Sequence, residues 1–373
     1  MTGKFHVNHS GMSSLTNKTL QLANVIVEVR NRTRKYARPD LLSAGSGLLI
    51  HELYPGVDTV YQQSERFGIR TGLMIGDLAG GVAASNSFYA SGDARAGASF
   101  DGLIIDLGAD NATAFAGQPK PDAKSTAYDL GCTWPEDPAI RDGAPQTSDA
   151  FKYEFNVLAG DILSISEDVA ALCVLLFGRD PVEKFLKPFV GDWDQLYKAG
   201  VEFERYEQSV AKTGRNLQFL SNQIPVVWDG NAAGNAREHM LVLGQRVEQH
   251  AAHFKNAGTL LKQAAQDAYD AYGALSTAVK FIIDQMIPVA NVASIVGKSV
   301  KFPAKYASKV AAARKEYDFS TKRYGLFDDI VKYSKGILNV HWDPGAMGIP
   351  DVVNPDRGGW FGKTKQGPYQ PAK

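Results

Sequence analysis

Cysteine is scarce in this chain. The 373 residues contain two, Cys132 in a proline-containing segment and Cys173 in an apolar run. Disulfide-dependent domains carry more cysteines at regular spacings, so we expect no disulfide framework, and the sequence leaves open only a single bridge between these two residues. We interpret Cys173 as a small buried apolar residue rather than as a nucleophile.

Net charge is absent as well, because 40 Lys and Arg residues balance 40 Asp and Glu residues. The overall charge therefore argues neither for nor against nucleic acid. Residues 286–340 are locally basic, with ten Lys or Arg residues against four Asp or Glu residues. They predict either a solvated surface or contact of residues 298–335 with an anionic membrane. Since no aromatic stacking pattern is interleaved with the basic residues, we expect no nucleic-acid binding.

Long apolar runs are missing too. The first residues, 1–6, are polar and lack the apolar core of a signal peptide. The longest uncharged apolar stretch, 285–297, is interrupted by Pro288 and is shorter than the ~20 residues that a membrane helix needs. If the protein is exported, we therefore expect it to use a route other than the general signal-peptide pathway.

Catalytic motifs are also lacking. The chain has no phosphate-binding loop with Gly-Lys-Ser/Thr and no nucleophile elbow, and Gly45-Ser46-Gly47 lacks the third glycine of a dinucleotide loop. His239, His250 and His253 share one helical pattern, but a metal site would need a carboxylate or cysteine brought alongside them. We interpret His250 as a buried helix residue and the other two as solvated. We expect no catalysis, no cofactor and no metal site.

What the sequence does contain is helical periodicity. Residues 192–224 and 231–284 carry apolar residues at steps of three and four, and the second run is unbroken for ten positions. Such a pattern suits side-by-side helix packing. A helix over the second run is roughly 80 Å long at 1.5 Å per residue, so it needs a partner along most of its length, in this chain or in another copy. The helix seam includes Met240, Leu243, Val247, Phe254 and Leu261.

The two runs meet at residues 224–231, whose sequence is Ile-Pro-Val-Val-Trp-Asp-Gly-Asn. We expect Pro225 to end the incoming helix and Gly230 to allow the chain to reverse. Asp229 or Asn231 is expected to cap the next helix with a side-chain oxygen. Trp228 supplies a large ring that can close the end of the seam. The corner motif is Trp228-Asp229-Gly230.

An N-terminal hairpin with the same layout is predicted over residues 12–93. It consists of an amphipathic helix over 12–36, a second corner at Tyr54-Pro55-Gly56 and a glycine-containing helix that follows. Glycine in a helix interior costs ~1 kcal/mol relative to alanine, so the glycines between 68 and 81 predict that another helix approaches closely.

The remaining segments complete the predicted fold class, which is mainly α: elongated antiparallel helical hairpins in a bundle with an irregular central insert. Residues 95–149 are polar and proline-containing and predict an irregular insert or linker. Short helices are expected over 150–190, the Trp-corner hairpin over 191–285 and C-terminal helices over 286–340. The tail, 341–373, has little periodicity and is expected to be disordered.

The second hairpin resembles the Trp-x-Gly family of helical-hairpin proteins that type VII secretion systems export. The matching residues are Gly191-Asp192-Trp193-Asp194 at its start, Trp228-Asp229-Gly230 at its corner and Asn231-Ala232-Ala233 after it. The resemblance covers about 185–285, with a weaker one at 12–93. It implies a protein that is secreted or on the cell surface without a signal peptide, or is otherwise cytoplasmic. The implied partners are other helical-hairpin proteins or a second copy, and the secretion machinery.

The resemblance also implies a Tyr-x-x-x-Asp/Glu export signal. Two candidates lie at suitable places, Tyr89 with Asp93 after the first hairpin and Tyr324 with Asp328 after the last helix. None follows the second hairpin directly. Because family members pair as two hairpins in a four-helix bundle, we expect residues 12–93 and 192–284 to form such a pair within one chain.

Two other functions remain open. The first alternative is a helical structural protein that self-assembles into a ring or shell without export. A minor alternative is a toxin or enzyme in the central insert.

Overall fold

The protein is described by a computed structural model that covers residues 7–42, 48–106, 136–139, 143–146, 167–189, 191–296, 299–301 and 303–338. Over these residues the fold is mainly α, which confirms the predicted class. The helices are α1 (His9–Tyr36), α2 (Leu48–Asp106), α3 (Glu167–Phe177), α4 (Pro181–Phe185), α5 (Trp193–Val227), α6 (Asn231–Ala290) and α7 (Ala307–Leu338). Three single turns of 3-10 helix lie at Pro39–Leu42, Lys187–Phe189 and Ala304–Tyr306.

The long helices form a closed ring of neighbours. α1 packs on α2 and on α5, α5 packs on α6, α6 packs on α7, and α7 packs back on α2. The bundle has two parts along its length. The corner section comprises α1, α5, residues 64–90 of α2 and residues 231–265 of α6. The aromatic section comprises α3, α4, α7, the start of α2 and residues 266–290 of α6.

Between α6 and α7 the chain forms a small antiparallel hairpin that the sequence did not predict. Its strands are β1 (Ser294–Val296) and β2 (Ser299–Lys301), with Ile295 opposite Val300. Among the described residues, no helix combines the length and the apolar character that a membrane crossing requires. Both Cys132 and the predicted disordered tail lie outside the described residues, and Cys173 carries a buried free thiol.

The predicted corner at Tyr54-Pro55-Gly56 is wrong, because Pro55 lies inside α2. The helix begins at Leu48 and buries one continuous face through this region, including Leu53 and Val57. Burial of that face offsets the one backbone hydrogen bond that proline removes. The chain instead reverses between Ala37, where α1 ends, and Leu48.

Three other predicted boundaries also differ. α2 continues to Asp106, so the first part of the predicted insert 95–149 is helical. α5 continues through Pro225 to Val227, and α6 contains Pro288 in its last turn. In both helices the proline is the third residue from the C-terminal end, so only the last turn follows the one backbone hydrogen bond that it removes.

α5 and α6 approach each other to backbone contact at two pairs of glycines. A Cβ atom built on Gly244 would lie 2.6 Å from the carbonyl oxygen of Gly214, and one on Gly258 would lie 2.6 Å from that of Gly200. Gly214 and Gly244 are 15 residues before and after Asp229, and Gly200 and Gly258 are 29 residues before and after it. The hairpin is therefore symmetric about its corner, and any side chain at these four positions forces the helices apart.

The glycines of α2, which the sequence predicts to face a close neighbour, behave differently. Gly68 faces Tyr206, since a Cβ there would lie 3.1 Å from the Tyr206 hydroxyl. Gly76 and Gly80 have no heavy atom within 4 Å of a Cβ position among the described residues, so that expectation is wrong for them. Their side of α2 faces outward.

Candidate functional site at the Trp corner

The corner between α5 and α6 is built from three residues with different tasks. Trp228 ends α5 in an extended conformation, and its backbone N–H donates to the Ile224 carbonyl at 2.9 Å. Its indole ring is 1% exposed. Gly230 has a φ of 113°, a conformation that favours glycine, and it directly precedes α6. The predicted reversal at Gly230 is therefore present.

Asp229 does not act as the predicted cap. Gly230 is the N-cap residue of α6, and no side-chain hydrogen bond caps it within the described part of the chain. Asp229 is exposed at the tip of the corner. A carboxylate close to a helix N-terminus still interacts favourably with the helix dipole, without a specific hydrogen bond.

The N-terminal hairpin closes over the corner. Val7 forms an antiparallel bridge with Trp228, and the Asn8 backbone N–H donates to the Val227 carbonyl at 2.7 Å. Asn8 also caps α1 by accepting from the Gly11 backbone N–H at 2.9 Å. Gly11 packs directly against the Val227 side chain, which leaves no room for a Cβ. The start of α1 is therefore seated on the end of α5.

Tyr89 brings the first candidate export signal to the same place. Its ring meets the Trp228 ring edge-on, with 6.2 Å between the ring centroids, and Tyr89 is 7% exposed. One turn earlier, Asn86 holds α2 to α1, because its amide donates to the His9 carbonyl at 3.1 Å and to the Ser13 hydroxyl at 3.0 Å. Asp93 belongs to α2, and its side chain lies outside the described residues.

The buried pair of rings is surrounded by an exposed rim. Phe88 and Val226 are exposed beside Tyr89 and Trp228, and Phe88 lies edge-on to Tyr89 at 5.7 Å. We call the rim formed by Phe88, Val226 and Asp229 the corner surface. A buried tyrosine ring cannot enter a receptor pocket while the bundle is folded.

The second candidate signal lies in the aromatic section. Tyr324 is half-buried, and its ring lies 6.2 Å from Phe189 and 6.4 Å from Phe185. Burial, with a smaller contribution from the Asp328 carboxylate, raises the pKa of Tyr324. Asp328 accepts from the Lys332 ammonium at 2.6 Å one turn later. The structure therefore gives Tyr324 a packing partner and Asp328 a charge partner.

Tyr324 belongs to a cluster of rings that the sequence did not single out. Tyr317 stacks on Phe177 at 4.9 Å and meets Phe185 edge-on at 5.0 Å. The Lys184 ammonium lies 4.5 Å from the Tyr317 ring centre. The seven-residue spacing of Tyr317 and Tyr324 places them on one face of α7, a signal that was visible in the sequence. The clustered rings are Phe177, Phe185, Phe189, Tyr272, Tyr317 and Tyr324.

The predicted helix seam on α6 is occupied within the chain. Phe254 lies 4.7 Å from the Tyr206 ring on α5 and 5.6 Å from the Phe67 ring on α2. The structure therefore brings the two predicted hairpins together around one core, which leaves no seam for an outside helix. The seam residues Met240, Leu243, Val247, Phe254 and Leu261 are all at most 1% exposed.

The basic segment predicted to meet a membrane, 298–335, contains β2 and α7. Lys301, Lys305 and Lys315 are exposed, whereas Ala313 and Tyr317 face the core. Lys301 belongs to β2 and Lys305 to the 3-10 turn before α7, and α7 itself exposes Lys315, Lys322 and Lys332. The segment thus has an outward basic side, which both sequence-based alternatives require.

Two of the three histidines of α6 lie side by side. His250 and His253 stack with 6.0 Å between their ring centroids, and no group of three metal-ligating side chains occurs among the described residues. Burial, with contributions from His253 and Arg246, lowers the pKa of His250 to about 4. His250 is partly buried and His253 is exposed, whereas His239, which the sequence suggests is solvated, is partly buried as well.

Comparisons with known proteins add no relative. Neither a protein-family model, nor a curated protein, nor a solved structure matches this chain.

Proposed function

We propose that this protein is a non-enzymatic type VII secretion substrate or secretion-associated protein that acts through helix–helix recognition. One observation carries the proposal: the Trp228 corner of one hairpin and the Tyr89 signal of the other pack edge-on at 6.2 Å at one end of the bundle. The two features that the family resemblance joins are 139 residues apart in the chain, from 89 to 228, yet they meet in the fold.

The geometry also supports a specific mode of recognition. Because Tyr89 and Trp228 are buried, the secretion machinery would read the folded end of the bundle rather than an extended peptide. α2 continues for 17 residues beyond Tyr89, to Asp106, which is about 25 Å at 1.5 Å per residue. We propose that this last part of α2 and the corner surface are read together, and that the protein then acts outside the cell or at its surface.

Export of point variants tests the proposal. The chain would be expressed in a bacterium with an active type VII secretion system and in an isogenic strain in which that system is inactivated. We expect full-length protein in the culture supernatant of the first strain only. Asp93→Asn should abolish export, whereas Asp77→Asn, an exposed carboxylate on the same helix, should not.

Tyr89 variants separate the signal from the packing. Tyr89→Phe keeps the ring against Trp228 and should fold and be exported, whereas Tyr89→Ala should lose both export and stability. Asp328→Asn tests the second candidate signal independently. Equal amounts in the two supernatants, or retention of the wild-type chain by both strains, would contradict the proposal.

Self-assembly is favoured as a second candidate by the outward face of α1 and α2. Between residues 17 and 28 and between residues 69 and 88, the exposed residues include only two charged ones, Glu28 and Asp77, and Lys18 and Arg70 are partly exposed. Interfaces are depleted of charge in this way. Ile69 and Leu73 protrude from α2, while Gly76 and Gly80 leave space for a close approach.

The occupant proposed for this face is the same face of a second copy. Nineteen residues at 1.5 Å give a length of about 29 Å, and two helices in width yield on the order of 600–800 Å² per copy, which approaches a standard interface. Sedimentation equilibrium should then show dimers that Leu73→Glu converts to monomers and that Leu326→Glu, exposed on α7, leaves intact. A monomeric wild-type chain at 100 μM would exclude this candidate.

A further inference from the structure

Two described pieces of the central insert, 136–139 and 143–146, lie on the surface of α5 and reach α1. We call them the strap. The Arg215 guanidinium donates two hydrogen bonds of 2.6 Å each to the Glu136 carboxylate, and the Asn216 amide donates to the Glu136 carbonyl at 2.8 Å. Seven residues later, the Gly143 carbonyl accepts from Arg205 at 2.9 Å and from Arg32 at 3.0 Å.

The groups that hold the strap are themselves held in place. Glu202, 1% exposed, accepts from Arg32 Nε at 2.8 Å and lies 3.4 Å from Arg205 Nη1. Glu248 on α6 accepts from Arg215 Nη1 at 3.1 Å, and Asn216 is fully buried. Each arginine is oriented by a carboxylate side chain that belongs to a helix. Its other N–H groups are therefore positioned by the helices and do not depend on the strap.

The composition of the strap suits an extended peptide ligand. Pro138 and Pro145 are buried. Proline has no backbone N–H, so its burial leaves no donor unsatisfied, and it favours an extended chain. The strap runs from Arg215 towards Arg205, ten residues apart and about 15 Å along α5, a distance that the seven residues from Glu136 to Gly143 span readily.

We propose that Arg32, Arg205, Arg215 and Asn216 form a peptide-recognition groove for an extended segment with a leading carboxylate and buried prolines, and that the strap is its resident ligand. Bound in this groove, the strap holds the N-terminal hairpin to the C-terminal one, because Arg32 belongs to α1 and the other three residues belong to α5. The inference stands apart from the export proposal, since it concerns an internal ligand and needs no secretion machinery.

A strapless full-length chain tests the groove directly. Residues 136–146 would be replaced by glycine and serine at the same length, and a fluorescein-labelled synthetic peptide with the sequence Glu136–Gln146 would be titrated by fluorescence anisotropy. We expect saturable binding to the strapless chain and at least about tenfold weaker binding to the wild type, whose groove is occupied. Raising the salt from 50 to 500 mM should weaken binding, because it depends on charge pairs.

Matched changes on both partners sharpen this test. A peptide with Glu136→Gln, and a strapless chain with Arg215→Gln, should each bind about tenfold more weakly, because the two-pronged charge pair is lost. Arg314→Gln, a change in the aromatic section where Arg314 donates to the Leu176 carbonyl, should leave binding unchanged. Equal affinity for the wild-type and strapless chains, or no effect of Arg215→Gln, would overturn the proposal.

If the strapless chain does not fold, trypsin cleavage after Arg141 decides the matter, since Arg141 lies in the sequence between the two pieces of the strap. In the full-length chain, Glu136→Gln should raise the cleavage rate at Arg141 about tenfold over that of the wild type. Asp137→Asn, which removes the neighbouring carboxylate, should leave the rate within about twofold. Equal cleavage of wild type, Glu136→Gln and Asp137→Asn would show that Arg215 does not hold the strap and would overturn the proposal.

Discussion

The corner section and the aromatic section share the helices α2 and α6, and along α6 they pack against their neighbours in opposite ways. Every seventh residue of α6 shows the change. In the corner section these residues are small, namely Gly244, Ala251, Gly258 and Ala265, and α5 approaches to backbone contact. In the aromatic section the same position holds Tyr272, Val279 and Met286, which are buried.

This difference indicates that the size of the side chain at one heptad position of α6 determines how closely a neighbouring helix can pack against it. Close helix axes leave room for backbone and little else, so the corner section depends on the absence of side chains. In the aromatic section, buried rings such as Tyr272 and Phe189 fill the space between the elements, so this section depends on large side chains. Adding a side chain should therefore destabilise the corner section, whereas removing a large side chain should destabilise the aromatic section.

The largest effect is expected from Phe185→Ala. Phe185 is fully buried and meets Tyr317 at 5.0 Å, and it is the last residue of the five-residue helix α4. Loss of the ring should destabilise the aromatic section by about 3–5 kcal/mol. Hydrogen exchange would show lost protection in α4 and α7, with α5 unchanged. Leu326→Ala, at an exposed site, is the control and should stay within about 0.5 kcal/mol of wild type; similar losses in both variants would refute the comparison.

A smaller effect is expected from Gly244→Ala, which adds a methyl group where the previous substitution removes a ring. Alanine gains about 1 kcal/mol of helix propensity, but its Cβ would lie 2.6 Å from the Gly214 carbonyl oxygen, and overpacking costs about 1–3 kcal/mol. We expect a net loss of about 1 kcal/mol in urea unfolding, with protection lost in α5 and the first half of α6.

Gly273→Ala is the matched control on the same helix. Among the residues that the structure describes, no heavy atom lies within 4 Å of a Cβ built there, so this variant should gain up to about 1 kcal/mol. If Gly244→Ala were stabilising as well, the two helices would separate without cost, and the close glycine pairs would not hold the corner section together.

The smallest effect concerns pH. The pKa of His250 is lowered to about 4 in the folded chain, against about 6.5 when unfolded, so between these values the unfolded chain binds the additional proton. Stability from the neutral ring is therefore present above pH 6.5 and is lost as the pH falls towards 4. Because the ring is only partly buried, we expect a loss on the order of 1 kcal/mol at pH 5.

His250→Leu isolates this contribution from that of the carboxylates. Urea unfolding of the wild type and the variant at pH 7.5 and pH 5 should show a smaller acid-induced loss for His250→Leu. His253→Leu, at the exposed neighbour, is the control and should keep most of the wild-type loss. An identical pH dependence of His250→Leu and wild type would contradict the assignment.

Much of the fold was predictable because it depends on local rules. Steps of three and four define the buried side of α6 wherever its partner lies, and Gly230 marks a reversal because its φ of 113° disfavours other residues. The predicted corner at Pro55 was wrong, because there the low helix propensity of proline opposed the burial of the apolar residues around it. Leu53 and Val57 belong to a face that is covered along α2, and the free energy of that burial outweighs one lost hydrogen bond.

The candidate site was predictable only in parts. Trp228 and Tyr89 were each identifiable from local sequence, but their mutual packing depends on how α2 is seated beside α5. The same holds for Glu202, which nothing in the local sequence distinguishes from Glu204 and Glu207 on the same helix. Glu202 can be buried because Arg32, which is far away in the sequence but adjacent in the fold, supplies the compensating charge.

The sequence by itself determined that this chain forms long helices, where the main hairpin reverses and which side of α6 is apolar, because these properties follow from backbone preference and residue spacing. Only the tertiary structure decided which surfaces meet: the glycine pairs of α5 and α6, the rings of Tyr89 and Trp228, and the strap held by Arg215. Such contacts join residues far apart in the chain, and their geometry depends on how several helices pack at once.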